Sequence, residues 1–110
     1  MTFGYFVRPK ADRDIDDIAD ELIERASLEV GLHFLANTYK TLTLLVSHPE
    51  MGWPCRLQNR QLPNVRVFQV GKPFEKYLIF YQSFGSRIEI LRILHGAQDI
   101  EQILSTEGAF

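Results

Sequence analysis

Residues 15–49, IDDIADELIERASLEVGLHFLANTYKTLTLLVSHP, decide the fold. Ile15, Ile18, Ala19, Leu22, Ile23 and Ala26 fall at i, i+3, i+4, i+7, i+8 and i+11, one apolar stripe of an amphipathic helix. Acidic residues crowd its first turns, where they complement the positive end of the helix dipole. Ser27, followed by Leu28 and Glu29, is placed to cap a second helix. Gly31, Phe34, Leu35, Thr38, Leu42 and Leu45 keep helical spacing along it until Ser47-His48-Pro49 ends it. Almost no linker separates the two stripes, so the helices must fold back on each other as an antiparallel hairpin, and Gly31 allows them a close approach.

Outward from the hairpin the period changes from helical to two. Residues 3–8 alternate bulky with small or polar side chains and stop at Pro9, which lacks a ladder donor; they read as a strand. On the other side, residues 49–63 hold Gly52, Pro54 and Asn59 without periodicity and read as a loop. Residues 65–70, 76–83 and 87–94 read as three more strands, the last two joined by a tight turn centred on Phe84-Gly85. Asp99 caps a short helix carrying Ile100, Ile103 and Leu104, and residues 105–110 read as a frayed end. The fold class is α/β of the α+β type: an N-terminal strand, a two-helix hairpin on a small, mainly antiparallel sheet, and a short C-terminal helix, in one domain over residues 1–110.

With the turn centred on Phe84-Gly85, Tyr77, Ile79, Tyr81, Ile88, Ile90, Arg92 and Leu94 share one face of the sheet. Leu78, Phe80, Gln82, Glu89, Leu91, Ile93 and His95 take the other. Both faces are largely apolar, and the helix hairpin can cover only one. The second face, half covered by the short terminal helix, predicts a partner.

Composition excludes several function classes. A chain of 110 residues that is 45% hydrophobic can build a core without metal or disulfide staples. The single cysteine, Cys55, excludes an internal disulfide and offers no zinc motif, which fits a reducing, cytoplasmic setting. No apolar run approaches the roughly 20 residues of a membrane span, and the first residues lack a signal-peptide pattern. A net charge of -2 argues against indiscriminate nucleic-acid binding, yet it is unevenly spread. Residues 11–29 carry eight acids against Arg13 and Arg25, a net of -6. Residues 40–95 carry eight bases against three acids, a net of +5, and could form a basic working face. No phosphate-binding glycine loop, spaced carboxylate pair or metal-ligand cluster is visible, so neither cofactor nor metal is expected.

An ordered set of pieces carries a family resemblance. Tyr77-Leu-Ile-Phe-Tyr81, Ile88-Glu-Ile-Leu-Arg-Ile-Leu-His-Gly-Ala-Gln-Asp99 and His48-Pro-Glu-Met-Gly52 at the end of the hairpin resemble the ParE branch of the RelE/ParE toxin superfamily. The likeness runs from about residue 3 to residue 104. It implies the toxin of a type II toxin-antitoxin pair, neutralised in a hetero-oligomer by a small antitoxin whose disordered, commonly acidic C-terminal segment folds across the toxin. On that reading Tyr77, Tyr81, Arg66 and Arg92 are the antitoxin-binding candidates.

Two activities divide the superfamily. ParE-like members are associated with poisoning DNA gyrase by protein contact; RelE-like members resemble ribosome-dependent, metal-independent messenger-RNA endoribonucleases. For a nuclease, His95 would be the acid or base, and Arg66 and Arg92 the phosphate clamps, since a guanidinium pairs with phosphate oxygens in a bidentate way. Three features weigh against it. Arg92 and His95 fall on opposite faces unless the strand bulges, Gln98 stands where an arginine often follows the His-Gly-Ala motif, and the chain lacks the positive excess of a ribosome-docking protein. The gyrase reading therefore leads, with the nuclease, or a member that binds antitoxin but has lost toxicity, as the alternatives. Each candidate also has a structural role open to it: His95 could hold the Gly96 turn, and Arg66 and Arg92 could pair with Glu89. A thiol at Cys55 beside Arg56 could have a lowered pKa.

Overall fold

The computed structural model describes residues 4–55, 63–106 and 108–110. Arg56 and Arg60 of the basic stretch, and the first residue of the expected N-terminal strand, lie outside them. Elements run in the order β1 (Gly4–Val7), α1 (Pro9–Arg25), α2 (Leu28–Ser47), β2 (Trp53–Pro54), β3 (Arg66–Gln69), β4 (Tyr77–Phe84), β5 (Arg87–His95) and α3 (Ile100–Ser105). The sheet order is β1-β5-β4-β3-β2, with β1 parallel to β5 and the other pairs antiparallel. The two-residue β2, paired with β3 through Trp53 and Pro54, lies in the stretch expected to be loop. It is too short to show a period of two.

The helix hairpin forms as its spacing requires. Pro9 occupies the first turn of α1, where its missing N–H costs no hydrogen bond. Ser27 Oγ accepts the Val30 N–H at 3.1 Å and caps α2. A Cβ on Gly31 would strike the Ile23 side chain and sit 3.0 Å from the Ala19 carbonyl oxygen, so glycine sets the distance between the helices. Ala11, Ile15 and Ala19 of α1 and Phe34, Leu42 and Leu45 of α2 pack on Ile79, Tyr81, Ile88, Ile90 and Ile93 of the sheet.

The β4–β5 register departs from expectation. Phe84 pairs with Arg87, so the turn is Gly85-Ser86, and Gly85 has the positive φ (59°) that glycine adopts freely at the first position of a two-residue turn. Tyr81 therefore faces Ile90 instead of Ile88. Between the Tyr81–Ile90 and Phe80–Arg92 pairs the register slips, leaving Leu91 as the extra residue of a bulge. Beyond it the alternation is reversed. Ile93 and His95, not Arg92 and Leu94, join the helix-covered face.

The opposite face is not left for a partner. Val67, Phe80, Leu91 and Leu94 are buried there beneath α3, whose Leu104 is fully buried, with Ile100, Ile103, Phe110 and Cys55 packed around them. Nor do the described residues of the C-terminal tail fray: Ala109 is buried, and its carbonyl accepts a hydrogen bond from Arg92. A six-residue helix suffices because three of its residues and the tail behind it concentrate their apolar groups on one narrow strip. No helix among the described residues is long and apolar enough to cross a membrane.

Candidate functional site

Two clusters gather the residues singled out in the sequence. The first ties the turn after α2 to the sheet. Tyr81, fully buried on β4, donates from its hydroxyl to the Pro49 carbonyl (2.8 Å) and accepts the Gly52 N–H (3.0 Å). Arg66, opposite Tyr81 on β3, donates to the Gly52 carbonyl at 2.6 Å. A Cβ on Gly52 would sit 2.5 Å from the Tyr81 hydroxyl and 2.8 Å from the Val67 carbonyl oxygen, so no other residue fits there. The tyrosine strand and the Pro-Glu-Met-Gly turn, separate pieces in the sequence, are thus one hydrogen-bonded unit. Burial is the main cause that pushes the Tyr81 phenol up, with the Gly52 N–H and Arg66 opposing it.

The second cluster lies where β5 outruns its neighbour. β1 pairs with β5 only from Arg87 to Ile90, and the next backbone contact along that edge is the Arg8 N–H to the Ile90 carbonyl at 3.0 Å. From there α1 takes over. Asp14 accepts the Ile93 N–H (3.0 Å) in place of a missing strand, while its carboxylate holds Arg92 in a bidentate pair, Nε to Oδ2 at 2.7 Å and Nη2 to Oδ1 at 3.0 Å. Arg92 Nη1 donates to the Ala109 carbonyl at 2.8 Å. The two side chains are only 16% and 15% exposed, so this pair is shielded from competition by water. All three guanidinium nitrogens are engaged within the chain.

His95 ends β5. Its backbone N–H donates to Gln98 Oε1 (2.8 Å), and its Nδ1 accepts the Ala97 N–H (2.9 Å), which closes the turn through Gly96. A neutral imidazole accepting at Nδ1 carries its proton on Nε2. Tyr77, opposite His95, meets its ring edge-on at 5.1 Å and that of Phe34 at 5.2 Å. Burial pushes the Tyr77 phenol up, followed by the nearby Glu21 carboxylate, with Arg25 acting in the opposite sense. Arg92, His95 and Tyr77 border one open cavity of about 550 Å³ between α1 and the ends of β4 and β5, together with Asp14, Asp17, Glu21 and Arg25. Arg66 and Tyr81 belong to the other cluster and do not reach it.

The pairing of either arginine with Glu89 does not occur: Glu89 lies 3.6 Å from Arg8. Burial pushes the Cys55 thiol up, away from the thiolate that reactivity requires. Asp14 is the residue that sequence reading passed over, as one of eight acids. Its signal was helical spacing: Asp14, Ile18, Glu21 and Arg25 recur at i, i+4, i+7 and i+11 and all line the cavity.

A family model described as the ParE toxin of the type II toxin-antitoxin system parDE matches residues 5–100. The chain is 28% identical over 91 residues to Toxin ParE1 of Caulobacter vibrioides, spanning 83% of this chain and 86% of that protein. Its fold is similar to a solved structure described as the chromosomal ParDE TA system from P. aeruginosa, with a TM-score of 0.68 at 22% identity, over 84% of this chain and 95% of that one.

Proposed function

Because this chain belongs to the ParE toxin family of type II toxin-antitoxin systems, we propose that it arrests growth in the cytoplasm by a protein contact on DNA gyrase, and that a cognate antitoxin neutralises it. One observation carries the choice of contact over chemistry. The groups that a metal-free nuclease would need already carry hydrogen bonds within the chain: Arg92 to the Asp14 carboxylate and the Ala109 carbonyl, Arg66 Nη1 to the Gly52 carbonyl, and His95 Nδ1 from the Ala97 N–H. A guanidinium held bidentate by a shielded carboxylate would have to give up that pair before it could take a scissile phosphate. Arg92, Arg66 and Tyr81 are on this reading residues that hold the toxin's shape, while Tyr77, half-buried at the cavity, is the antitoxin-binding candidate still open to a partner.

A messenger-RNA endoribonuclease is the second reading, and it draws on the shared cavity of Arg92, His95 and Tyr77. Purified toxin separates the two. Inhibition of gyrase supercoiling, relieved by the antitoxin gene product encoded beside it, is expected. Untouched gyrase with cleaved messenger RNA in a translation extract would transfer the assignment to the nuclease.

A further inference from the structure

The outer side of the helix hairpin carries a feature that the two clusters do not use. Leu28, Leu32, Leu35 and Tyr39 recur at i, i+4, i+7 and i+11 along α2, beside its core-facing stripe. Leu28 is 59% exposed, Leu32 52% and Tyr39 38%, and Leu35 is half-buried. Single exposed leucines are ordinary, but four apolar residues in helical register form a continuous strip.

An acidic ridge runs along it. Asp12, Asp16, Asp20 and Glu24, all exposed, succeed one another at i+4 on α1. The packing of Gly31 against Ala19 and Ile23 sets the two helices side by side, and the antiparallel course brings the start of α1 to the middle of α2. Tyr39 reports the proximity: burial raises its phenol first, and Asp12 and Asp16 raise it further. The surface is therefore an apolar strip with an anionic rim.

The charge selects the occupant. Anionic lipid and nucleic acid are repelled by such a rim. A second copy brings another acidic ridge, and its α2 has only Lys40 to offer as a formal cation. An acidic protein segment is disfavoured for the same reason. A helix with one apolar face and lysines or arginines beside it satisfies both features. At 1.5 Å per residue the strip is about 17 Å long, which corresponds to about three turns. We infer that the outer face of the α1–α2 hairpin docks a basic amphipathic helix of a partner protein, its apolar face on Leu28, Leu32 and Tyr39 and its cations along Asp12, Asp16 and Asp20. This surface stands apart from the identity of the toxin's target, so a failed gyrase assay would leave it untouched.

The test is an NMR titration of the full chain with a synthetic amphipathic helix of leucine and lysine, about three turns long, against the same peptide with glutamate for lysine. The lysine peptide is expected to shift the amides of Leu28, Leu32, Tyr39 and Asp16 saturably, and the glutamate peptide to shift none of them. Leu32→Gln, and Asp16→Asn with Asp20→Asn, should each weaken binding about tenfold with an unchanged melting temperature, since all three positions are exposed and lie beyond the first turn of α1. No binding, equal binding of both peptides, shifts centred on the cavity, or full affinity in the asparagine variant would overturn the inference.

Discussion

Tyr81 and Arg92 do at the scale of single residues what a larger protein does with whole elements. Each joins segments far apart in sequence: Tyr81 ties β4 to the 49–52 turn, and Arg92 ties β5 to α1 and to the C-terminus. Tyr81→Phe keeps the ring but strands the buried Gly52 N–H, so urea denaturation should show a loss of about 1–3 kcal/mol. The same variant should flatten the alkaline limb of stability. Burial raises the Tyr81 phenol, so between about pH 10, where the unfolded chain's tyrosines lose their protons, and its higher folded value the native state holds more protons than the unfolded one. Stability is thus full below about pH 10 and falls as pH rises through that window, less steeply without Tyr81. For Arg92→Ala and Asp14→Ala, each should cost about 2–4 kcal/mol, and the double variant much less than their sum, because one deletion already destroys the shared pair. Loss of toxicity in Arg92→Ala should then follow loss of folded protein in a melting experiment. Neither partner of Arg92 was legible in the sequence: Asp14 is 78 residues away, and only the packing of α1 on β5 brings it close.

The secondary-structure elements divide by how locally they are determined. The helix hairpin was readable because its stripes, the Ser27 cap and Gly31 act within a few turns. Gly31→Ala tests that reading against bare helix propensity. Propensity alone favours alanine by about 1 kcal/mol, whereas the collision with Ile23 and the Ala19 carbonyl predicts a net loss of about 1–3 kcal/mol in thermal denaturation. The β4–β5 register was not readable, since a bulge leaves no local mark: Leu91 is one apolar residue in a run of them, and its displacement depends on α1 replacing β1 along the edge. The same limit hid the cover over the second sheet face. A short helix with three apolar residues looked too small, but Leu104 is fully enclosed. Leu104→Ala should therefore cost about 2–5 kcal/mol and increase binding of a hydrophobic dye, whereas a surface position would show neither.

For the molecule as a whole, the sequence revealed the family more readily than the site. An ordered set of motifs spread over most of the chain placed it among ParE-like toxins, in agreement with the family match over residues 5–100. Those motifs also turn out to be the joints of the fold. The Pro-Glu-Met-Gly turn meets the tyrosine strand through Tyr81, and the His-Gly-Ala turn is held by His95 Nδ1 on the Ala97 N–H. A site built for chemistry would instead leave such groups aimed at substrate. The charge division acquires a location as well: the acids of α1 separate into one row beside α2 and another, from Asp14 to Glu21, along the cavity. The central claim is action by contact, and His95→Gln tests it most directly, because a glutamine oxygen can still accept the Ala97 N–H but cannot exchange protons as an imidazole does. The measurement is the dose-response of gyrase supercoiling for wild-type and His95→Gln toxin of equal melting temperature, with messenger-RNA cleavage followed in parallel. Contact predicts superimposable inhibition curves and intact RNA; RNA cleavage by the wild type that the variant abolishes, with gyrase unaffected by either, would contradict it.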